Sequence, residues 1–519
     1  MSLRTFTRFL LAQHRRATFV LFGLTLAAWT VALFLNASPV AGGADSSGYM
    51  NNARLLLQGR LQGDLRPIPE VPENAVPLNG FAPLGFRADP DSLNLVPTYP
   101  IGFPLLLAPF QAVFASRGGT LAVLVLLGLA APLLTWKLAR RTGLPAEWAA
   151  FCAICLTTSA VFQMHAYLPM TDVETLVVAT SALIVLLRFD RSPWNGVFLG
   201  ALLAFGVLSR PANILLFLPV VVYLLQNPRR LIQSWTIVLG GLPGAVFQIW
   251  INLRLYDRAL TTGYGDFRAF FELERIPPAL GFFFHQGLTL ITPMALFGFL
   301  ASPFVIRRNL PILLAPAVLV LSYLLFYSSY YFASEYWWSL RFILPVFPAV
   351  IILGSHVWSQ LQEQGQRLLS SPAAKGPDTL HPGPLALKWV PFGLSIIAIL
   401  IGHQTSRNLF VHQFHLEEAQ YADSAAWLAE HTDPGDVILC MQTSGSVFNE
   451  LPNPILRWDM MDPERWQAEI APALTRERRV FATLFPFERD ENAVLVKRVP
   501  GNWIHRADFG RVSIFELQP

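Results

Sequence analysis

The chain has 519 residues, of which 53% are apolar and only 14% are Asp, Glu, Lys or Arg. Soluble domains carry roughly 25% charged residues, so this composition excludes an ordinary soluble enzyme. A net charge of +4 is too small for this length to indicate a nucleic-acid partner, and three cysteines exclude a disulfide scaffold. The composition predicts a membrane protein.

Apolar runs long enough to cross a bilayer recur along the chain. A membrane helix needs about 20 mostly apolar residues, because its backbone polar groups must be satisfied within the segment. The sequence therefore predicts a mainly α-helical, polytopic transmembrane bundle of about eleven spans. They are 17–36, 118–136, 146–164, 173–188, 194–209, 212–226, 231–252, 286–306, 309–328, 342–359 and 389–404.

The segments between these spans alternate in basic content. Arginine and lysine lie before the first span, after the second, fourth, sixth and eighth, and again before the last. Cytoplasmic loops carry such an excess. We therefore expect a plasma (inner) membrane protein with a cytoplasmic N-terminus. The segments expected outside the cytoplasm are a long loop at 37–117, short loops at 165–172 and 329–341, a charged loop at 253–285, and the chain after residue 404.

The composition changes after the last span. Charged residues become frequent there, and strand-like runs occur at 437–440 and 480–485. We predict two domains: a transmembrane domain at 1–404, with a cytoplasmic linker at 361–388, and a small extracytoplasmic α/β domain at 405–519.

Acidic residues gather at the predicted outer ends of the spans. Asp45 follows the first span and opens a helical pattern that continues through Tyr49, while Asp172 and Glu174 open the fourth span. Carboxylates at helix N-termini are also favoured by the helix dipole alone, so each acid has a structural explanation as well as a catalytic one.

Arginines lie at the same predicted level. Arg210 interrupts two apolar runs, Arg341 opens the tenth span, and an arginine-rich loop contains Asp266. A guanidinium at the outer interface can bind a phosphate in bidentate fashion, or it can extend into the lipid headgroups.

The motifs that contain these residues, taken in order, resemble the GT-C glycosyltransferases. The motifs are Asp45 with Tyr49, the run Tyr99-Pro100-Ile101-Gly102, Leu168-Pro169-Met170-Thr171-Asp172, Leu208-Ser209-Arg210-Pro211 and Leu340-Arg341-Phe342. Relatives in that superfamily include protein O-mannosyltransferases and the lipid A aminoarabinose and galacturonic acid transferases. The resemblance covers about residues 10–360.

The resemblance implies transfer of a sugar from a polyprenyl-phosphate carrier to a hydroxyl of a lipid, glycan or protein acceptor, with inversion at the anomeric carbon. Asp45 would act as base, and Asp172 with Glu174 would orient the substrates. The phosphate candidates are Arg210, Arg341 and Arg60, and Tyr49, Tyr99 and Asp266 are further candidates for substrate contact. The resemblance implies no particular cofactor, and any requirement for a divalent metal stays open. The partners expected are the donor, the acceptor and membrane lipids.

A lipid or solute transporter with an extracytoplasmic domain is the alternative. Transporters place ionisable residues near the bilayer midplane. The predicted spans contain few such residues, so the sequence favours the transferase.

Overall fold

The computed structural model describes residues 13–72, 74–265, 267–306, 310–369 and 386–518. Most of the linker predicted at 361–388, and Asp266, lie outside these residues. Helices dominate the described part of the chain, and they assemble around one large apolar core.

The helices are defined as follows: α1 (His14–Asn36), α2 (Ala44–Leu57), α3 (Gly102–Arg141), α4 (Ala146–Thr157), α5 (Ala160–Ala166), α6 (Thr171–Leu186), α7 (Pro193–Ser209), α8 (Phe217–Leu225), α9 (Pro228–Gln233), α10 (Trp235–Tyr256), α11 (Ile276–Leu290), α12 (Pro293–Ile306), α13 (Leu310–Ser328), α14 (Phe347–Leu369), α15 (Val390–Asn408), α16 (Phe414–His431), α17 (Ser444–Glu450), α18 (Pro463–Arg465), α19 (Ala471–Glu477) and α20 (Val494–Lys497). The strands are β1 (Gly63–Asp64), β2 (Phe86–Ala88), β3 (Asn94–Pro97), β4 (Val437–Leu439), β5 (Ile455–Leu456), β6 (Val480–Leu484), β7 (Asn502–Phe509) and β8 (Val512–Gln518).

Every predicted span overlaps at least one helix, so the prediction of a polytopic helical bundle is confirmed. Within the described residues, 6 helices are long and apolar enough to cross a membrane, or up to 7 if the bent pair α4–α5 counts as one span. Three further apolar helices, at 193–209, 211–225 and 293–304, are shorter. The count of about eleven is therefore approximate.

Two predicted spans are interrupted. The run 146–164 bends by 64° between α4 and α5. The run 286–306 is divided between α11 and α12, and the break falls at Ile291 and Thr292. Thr292 has φ 148, which a helix does not allow. Helix α11 begins at Ile276, inside the segment predicted as a charged loop. Hydropathy alone missed this break because both flanking segments are apolar.

The bundle has one acidic end and one basic end. Helix α3 ends at Arg140 and Arg141, and Arg230 donates to Asp190 in the turn before α7. Helices α2 and α6 begin, and α7 ends, at the opposite end, where Asp45 and Asp172 lie. Among the described basic residues used for the predicted orientation, Arg140, Arg141 and Arg230 therefore lie at the end remote from the acids.

The C-terminal residues form a five-stranded mixed sheet in the order β5-β4-β6-β8-β7. Strands β5, β4 and β6 are parallel, and β8 joins β6 and β7 antiparallel. Strands β4 and β6 occupy the two runs that the sequence predicts to be strands. The α/β character of this domain is thus confirmed, whereas its boundary at residue 404 stays a prediction.

The segment 37–117, predicted as one long loop, is largely folded. It contains α2, a small antiparallel sheet in the order β1-β3-β2, and the beginning of α3. Side chains from this segment, including Ile68, Phe81 and Leu95, share an apolar core with strands β4 and β6. The segment therefore connects the helical bundle to the C-terminal sheet.

Candidate active site

Helix α2 brings the first acid to the site. It begins directly after Gly43, with Asp45 in its first turn. Asp45 and Tyr49 are four residues apart, so they lie on one face of the helix. The Tyr49 hydroxyl lies 3.3 Å from Thr171 Oγ1, at the beginning of α6. This contact joins the first and second acidic motifs.

Asp45 forms an ion pair with Arg341. Arg341 Nη1 donates to Asp45 Oδ2 at 2.9 Å, and the side chains are 30% (Asp45) and 25% (Arg341) exposed. Arg341 lies in a 3₁₀ segment, Trp337–Val346, that leads into α14. The predicted late arginine motif therefore lies against the predicted base.

A second ion pair joins Asp172 to Arg210. Arg210 Nη1 donates to Asp172 Oδ1 at 2.8 Å, and the Asp172 side chain is 3% exposed. Arg210 follows the last residue of α7 in extended backbone, φ −152, so the helix ends directly before it. Gly102 makes this turn possible, because a Cβ at Gly102 would lie 2.4 Å from the backbone nitrogen of Ser209.

Two aromatic rings pack against the Arg210 guanidinium. Its central carbon lies 5.7 Å from the ring centre of Tyr327 and 5.3 Å from that of Phe342. Cation–π contacts of this kind stabilise a partly desolvated guanidinium. Arg210 is thereby oriented before any ligand binds.

These side chains surround one polar cavity of about 330 Å³. The predicted site residues on its wall are Asp45, Tyr49, Tyr99, Asp172, Arg210 and Arg341. Burial, followed by the charge of Asp45, raises the pKa of Tyr49 and of Tyr99 above the usual range. Both hydroxyls therefore stay protonated at neutral pH and can donate hydrogen bonds to an anion.

The cavity also has a wall that the sequence prediction missed. Tyr264, Tyr330, Glu335 and Trp338 line it. The aromatic run from Tyr330 to Trp338 directly precedes the Arg341 motif, and this density of rings in a short polar loop was the available signal.

Two of the predicted residues that the structure describes do not line this cavity. Glu174 is buried behind it, where Ser209 Oγ donates to Glu174 Oε1 at 3.0 Å. Arg60 pairs with Asp64 on the surface and lines a separate cleft of about 400 Å³ beside Arg254. Asp266 lies outside the described residues.

An apolar groove adjoins the polar cavity. It has a volume of about 520 Å³ and runs between α7 and α10. Tyr99 lines both spaces, and Pro211, next to Arg210, lines the groove. Small residues on its walls, such as Ala204 and Gly241, leave room for an apolar chain.

Metal ligands are not clustered in the described part of the chain. No group of three or more His, Cys, Asp or Glu side chains there is arranged to hold a metal ion.

Residues 98–251 match the family model of the dolichyl-phosphate-mannose-protein mannosyltransferases. This range contains Tyr99, Asp172 and Arg210. The comparison with curated proteins found no match to this chain.

Solved structures share the fold along nearly the whole chain. ArnT from Cupriavidus metallidurans in the apo state has TM-score 0.61 and 16% identity, over 96% of this chain and 97% of that one. The same protein bound to undecaprenyl phosphate also has TM-score 0.61, with 15% identity over the same shares of the two chains.

More distant structures share the fold as well. The Archaeoglobus fulgidus oligosaccharyltransferase, in complex with an inhibitory peptide and a dolichol-phosphate, has TM-score 0.52 and 12% identity over 95% of this chain and 74% of that one. The arabinofuranosyltransferase AftD from Mycobacteria has TM-score 0.55 and 13% identity over 96% of this chain and 40% of that one. The chain therefore has the fold of these GT-C membrane glycosyltransferases, and residues 98–251 match a family model of the same class.

Proposed function

We propose that the protein transfers a sugar from a polyprenyl-phosphate-linked donor to an acceptor hydroxyl at the outer face of the plasma membrane. The observation that supports this most directly is the pairing of two spaces at Tyr99: a polar cavity with two arginines and an apolar groove open along α7 and α10. A donor that carries a phosphate on a long apolar chain needs both.

The groove takes the isoprenoid chain in this proposal. Its lining is almost entirely apolar, and it lies between helices long enough to span part of the bilayer. ArnT was solved with undecaprenyl phosphate and the archaeal oligosaccharyltransferase with a dolichol-phosphate. These ligands support the same class of carrier for this chain.

Arg210 and Arg341 bind the phosphate. As the bond between the anomeric carbon and the phosphate oxygen breaks, its electron pair moves to the phosphate and negative charge develops there. Preorganised guanidinium donors in a site with little water stabilise that charge more than the ground state, which lowers the barrier. The leaving group needs no proton, so a strong general acid is dispensable.

Asp45 accepts the proton of the acceptor hydroxyl. The acceptor oxygen attacks the anomeric carbon opposite the departing phosphate, so the configuration inverts. The ion pair with Arg341 fixes the Asp45 carboxylate relative to the phosphate site. Asp172 holds Arg210 in the same way, and Glu174 supports the turn through Ser209.

The orientation follows from charge. The basic end of the bundle faces the cytoplasm by the positive-inside rule. The cavity and the C-terminal domain then face outward, where no nucleotide sugar is supplied and a lipid-linked donor is required. Labelling of a cysteine introduced at exposed Asp64, in intact cells, tests this orientation, and protection from an impermeant reagent contradicts it.

Binding of undecaprenyl phosphate to the purified protein tests the donor class. The Ala245→Trp variant fills the groove from an exposed position, and Val246→Trp places the same side chain on an exposed surface that does not line it. We expect the first to weaken binding at least about tenfold and the second to leave it unchanged, because Trp at 245 occupies space that an isoprenoid chain needs. Equal affinity in both variants contradicts the proposal.

A further inference from the structure

Helix α2 presents two different faces to the rest of the protein. Asp45, Tyr49 and Asn52, spaced at i, i+4 and i+7, line the polar cavity or the groove. Ser47, Asn51 and Arg54 have the same spacing but are offset by two residues, about 200° around the helix axis. Each member of this second set contacts α17 of the C-terminal domain.

Asn51 is the centre of that contact. Its side chain is fully buried, its Nδ2 donates to the carbonyl of Gly445 at 2.9 Å, and its Oδ1 accepts from Asn449 Nδ2 at 3.0 Å. Both ends of the amide are therefore paired with α17. Buried polar groups that are fully paired specify one relative position of two elements, because any sliding leaves a group unsatisfied.

Arg54 binds the C-terminal end of α17. Its guanidinium donates to the carbonyl of Phe448 at 3.0 Å and to the carbonyl of Asn449, and its central carbon lies 5.4 Å from the Phe448 ring centre. The last carbonyls of a helix have no partners within the helix. Arg54 supplies them from α2, which couples the two helices along their length.

Gly445 allows α17 to pack closely against the side chain of Ser47 in α2. A Cβ at this position would lie 1.9 Å from Ser47 Oγ and 2.5 Å from Ser47 Cβ. Ser444 Oγ, beside it, accepts from the backbone nitrogen of Leu84 at 3.0 Å. The first turn of α17 thus lies directly behind the turn of α2 that carries Asp45.

We propose that the C-terminal domain is the positioning element for the Asp45 base, and that Gly445, Asn51 and Arg54 are its positioning residues. This rests on the proposed function, in which Asp45 takes the acceptor proton. Arg210 follows the last residue of α7, and Arg341 lies in the 3₁₀ segment Trp337–Val346, so neither phosphate-binding residue belongs to α2. A shift of α2 on α17 therefore moves Asp45 relative to the two arginines, while most of the donor site, on α7, α10 and the 3₁₀ segment, keeps its position.

The expected loss of turnover in Gly445→Ala follows from the distance between Gly445 and Ser47. Carbon atoms pack at about 3.5 Å, so Gly445→Ala must move α17 and α2 apart by about 1 Å. A misplacement of about 1 Å from a distant substitution reduces turnover by about 100-fold. Undecaprenyl phosphate affinity, in contrast, stays within about threefold of that of the unsubstituted protein, because the two arginines and most of the groove wall lie outside α2.

The experiment compares Gly445→Ala, Ser47→Gly and the double variant in the full-length protein. Hydrogen–deuterium exchange of residues 44–57, binding of undecaprenyl phosphate, and turnover with an undecaprenyl-phosphate-linked sugar are measured for each. We expect Gly445→Ala to raise exchange and to lose turnover while it binds undecaprenyl phosphate with full stoichiometry. Ser47→Gly removes the clashing atoms, so the double variant regains most of the turnover.

Several results overturn the proposal. One is turnover by Gly445→Ala within threefold of that of the unsubstituted protein, and another is unchanged hydrogen exchange in residues 44–57 of Gly445→Ala. A third is a double variant that does not recover turnover. The last is a parallel loss of turnover and of undecaprenyl phosphate stoichiometry, which marks misfolding. Failure of the unsubstituted protein to bind undecaprenyl phosphate counts against the proposed function instead. The exchange measurement needs no substrate, so the two failures are distinguishable.

Discussion

Replacement of Asp45 by asparagine separates its catalytic role from its structural one. Asparagine has the same shape and keeps an oxygen that accepts the hydrogen bond from Arg341 Nη1. It cannot take a proton from the acceptor. We therefore expect Asp45→Asn to lose turnover while the protein stays folded in the membrane.

The expected losses of reaction rate and of folding stability both follow from the site. Loss of a general base costs about 10²- to 10⁴-fold in rate, or about 3 to 5 kcal/mol in the barrier. The side chains of the Asp45–Arg341 pair are 30% and 25% exposed, so solvent screens their attraction. The pair then contributes about 1 kcal/mol or less to folding, and the melting temperature should fall by no more than about 2 °C.

The assay measures initial rates and thermal unfolding for Asp45→Asn beside a matched control. Asp64→Asn removes the acid of another arginine pair, Arg60–Asp64, which lies on the surface outside the cavity. The control should turn over within about twofold of the unsubstituted protein. Turnover by Asp45→Asn within threefold of that protein, or an equal loss in the control, refutes the role given to Asp45.

Two further predictions follow from the charges. Arg341→Ala should raise the KM for the donor about tenfold or more and the KM for the acceptor much less, because a charge-assisted hydrogen bond to phosphate contributes about 1.5 to 3 kcal/mol. Steady-state kinetics in which each substrate is varied measures both values. Equal effects on the two KM values contradict a phosphate contact. Burial raises the pKa of Glu418, in α16, to about 7 from 4.5. Between pH 4.5 and 7 the native state keeps a proton that the unfolded chain has released. The free energy of unfolding is therefore highest below pH 4.5 and falls as the pH rises through 7. Glu418→Gln should therefore stabilise the protein by up to about 3 kcal/mol at pH 8 and hardly at all at pH 4.5. Thermal unfolding at the two pH values measures this. Equal shifts of the melting temperature at both pH values contradict the effect assigned to Glu418.

The helical bundle and most of its site were predictable from local patterns. Apolar length marks a span because a helix must satisfy its own backbone within the hydrocarbon. Acids and arginines at span ends are visible in the same way, and six of the eight predicted residues that the structure describes line one cavity. The break at Thr292 was not visible, because periodicity does not distinguish one apolar helix from two consecutive ones.

The sequence by itself determined which residues are polar and at which ends of the spans they lie, since both depend only on neighbours along the chain. Tertiary structure decided which of them meet. Asp45 and Arg341 are separated by 296 positions, and no local pattern encodes their pairing. Long-range packing likewise placed Glu335 and Trp338 on the cavity wall, left Arg60 on the surface, and put the second face of α2 against α17, because each contact depends on how separate elements fold together.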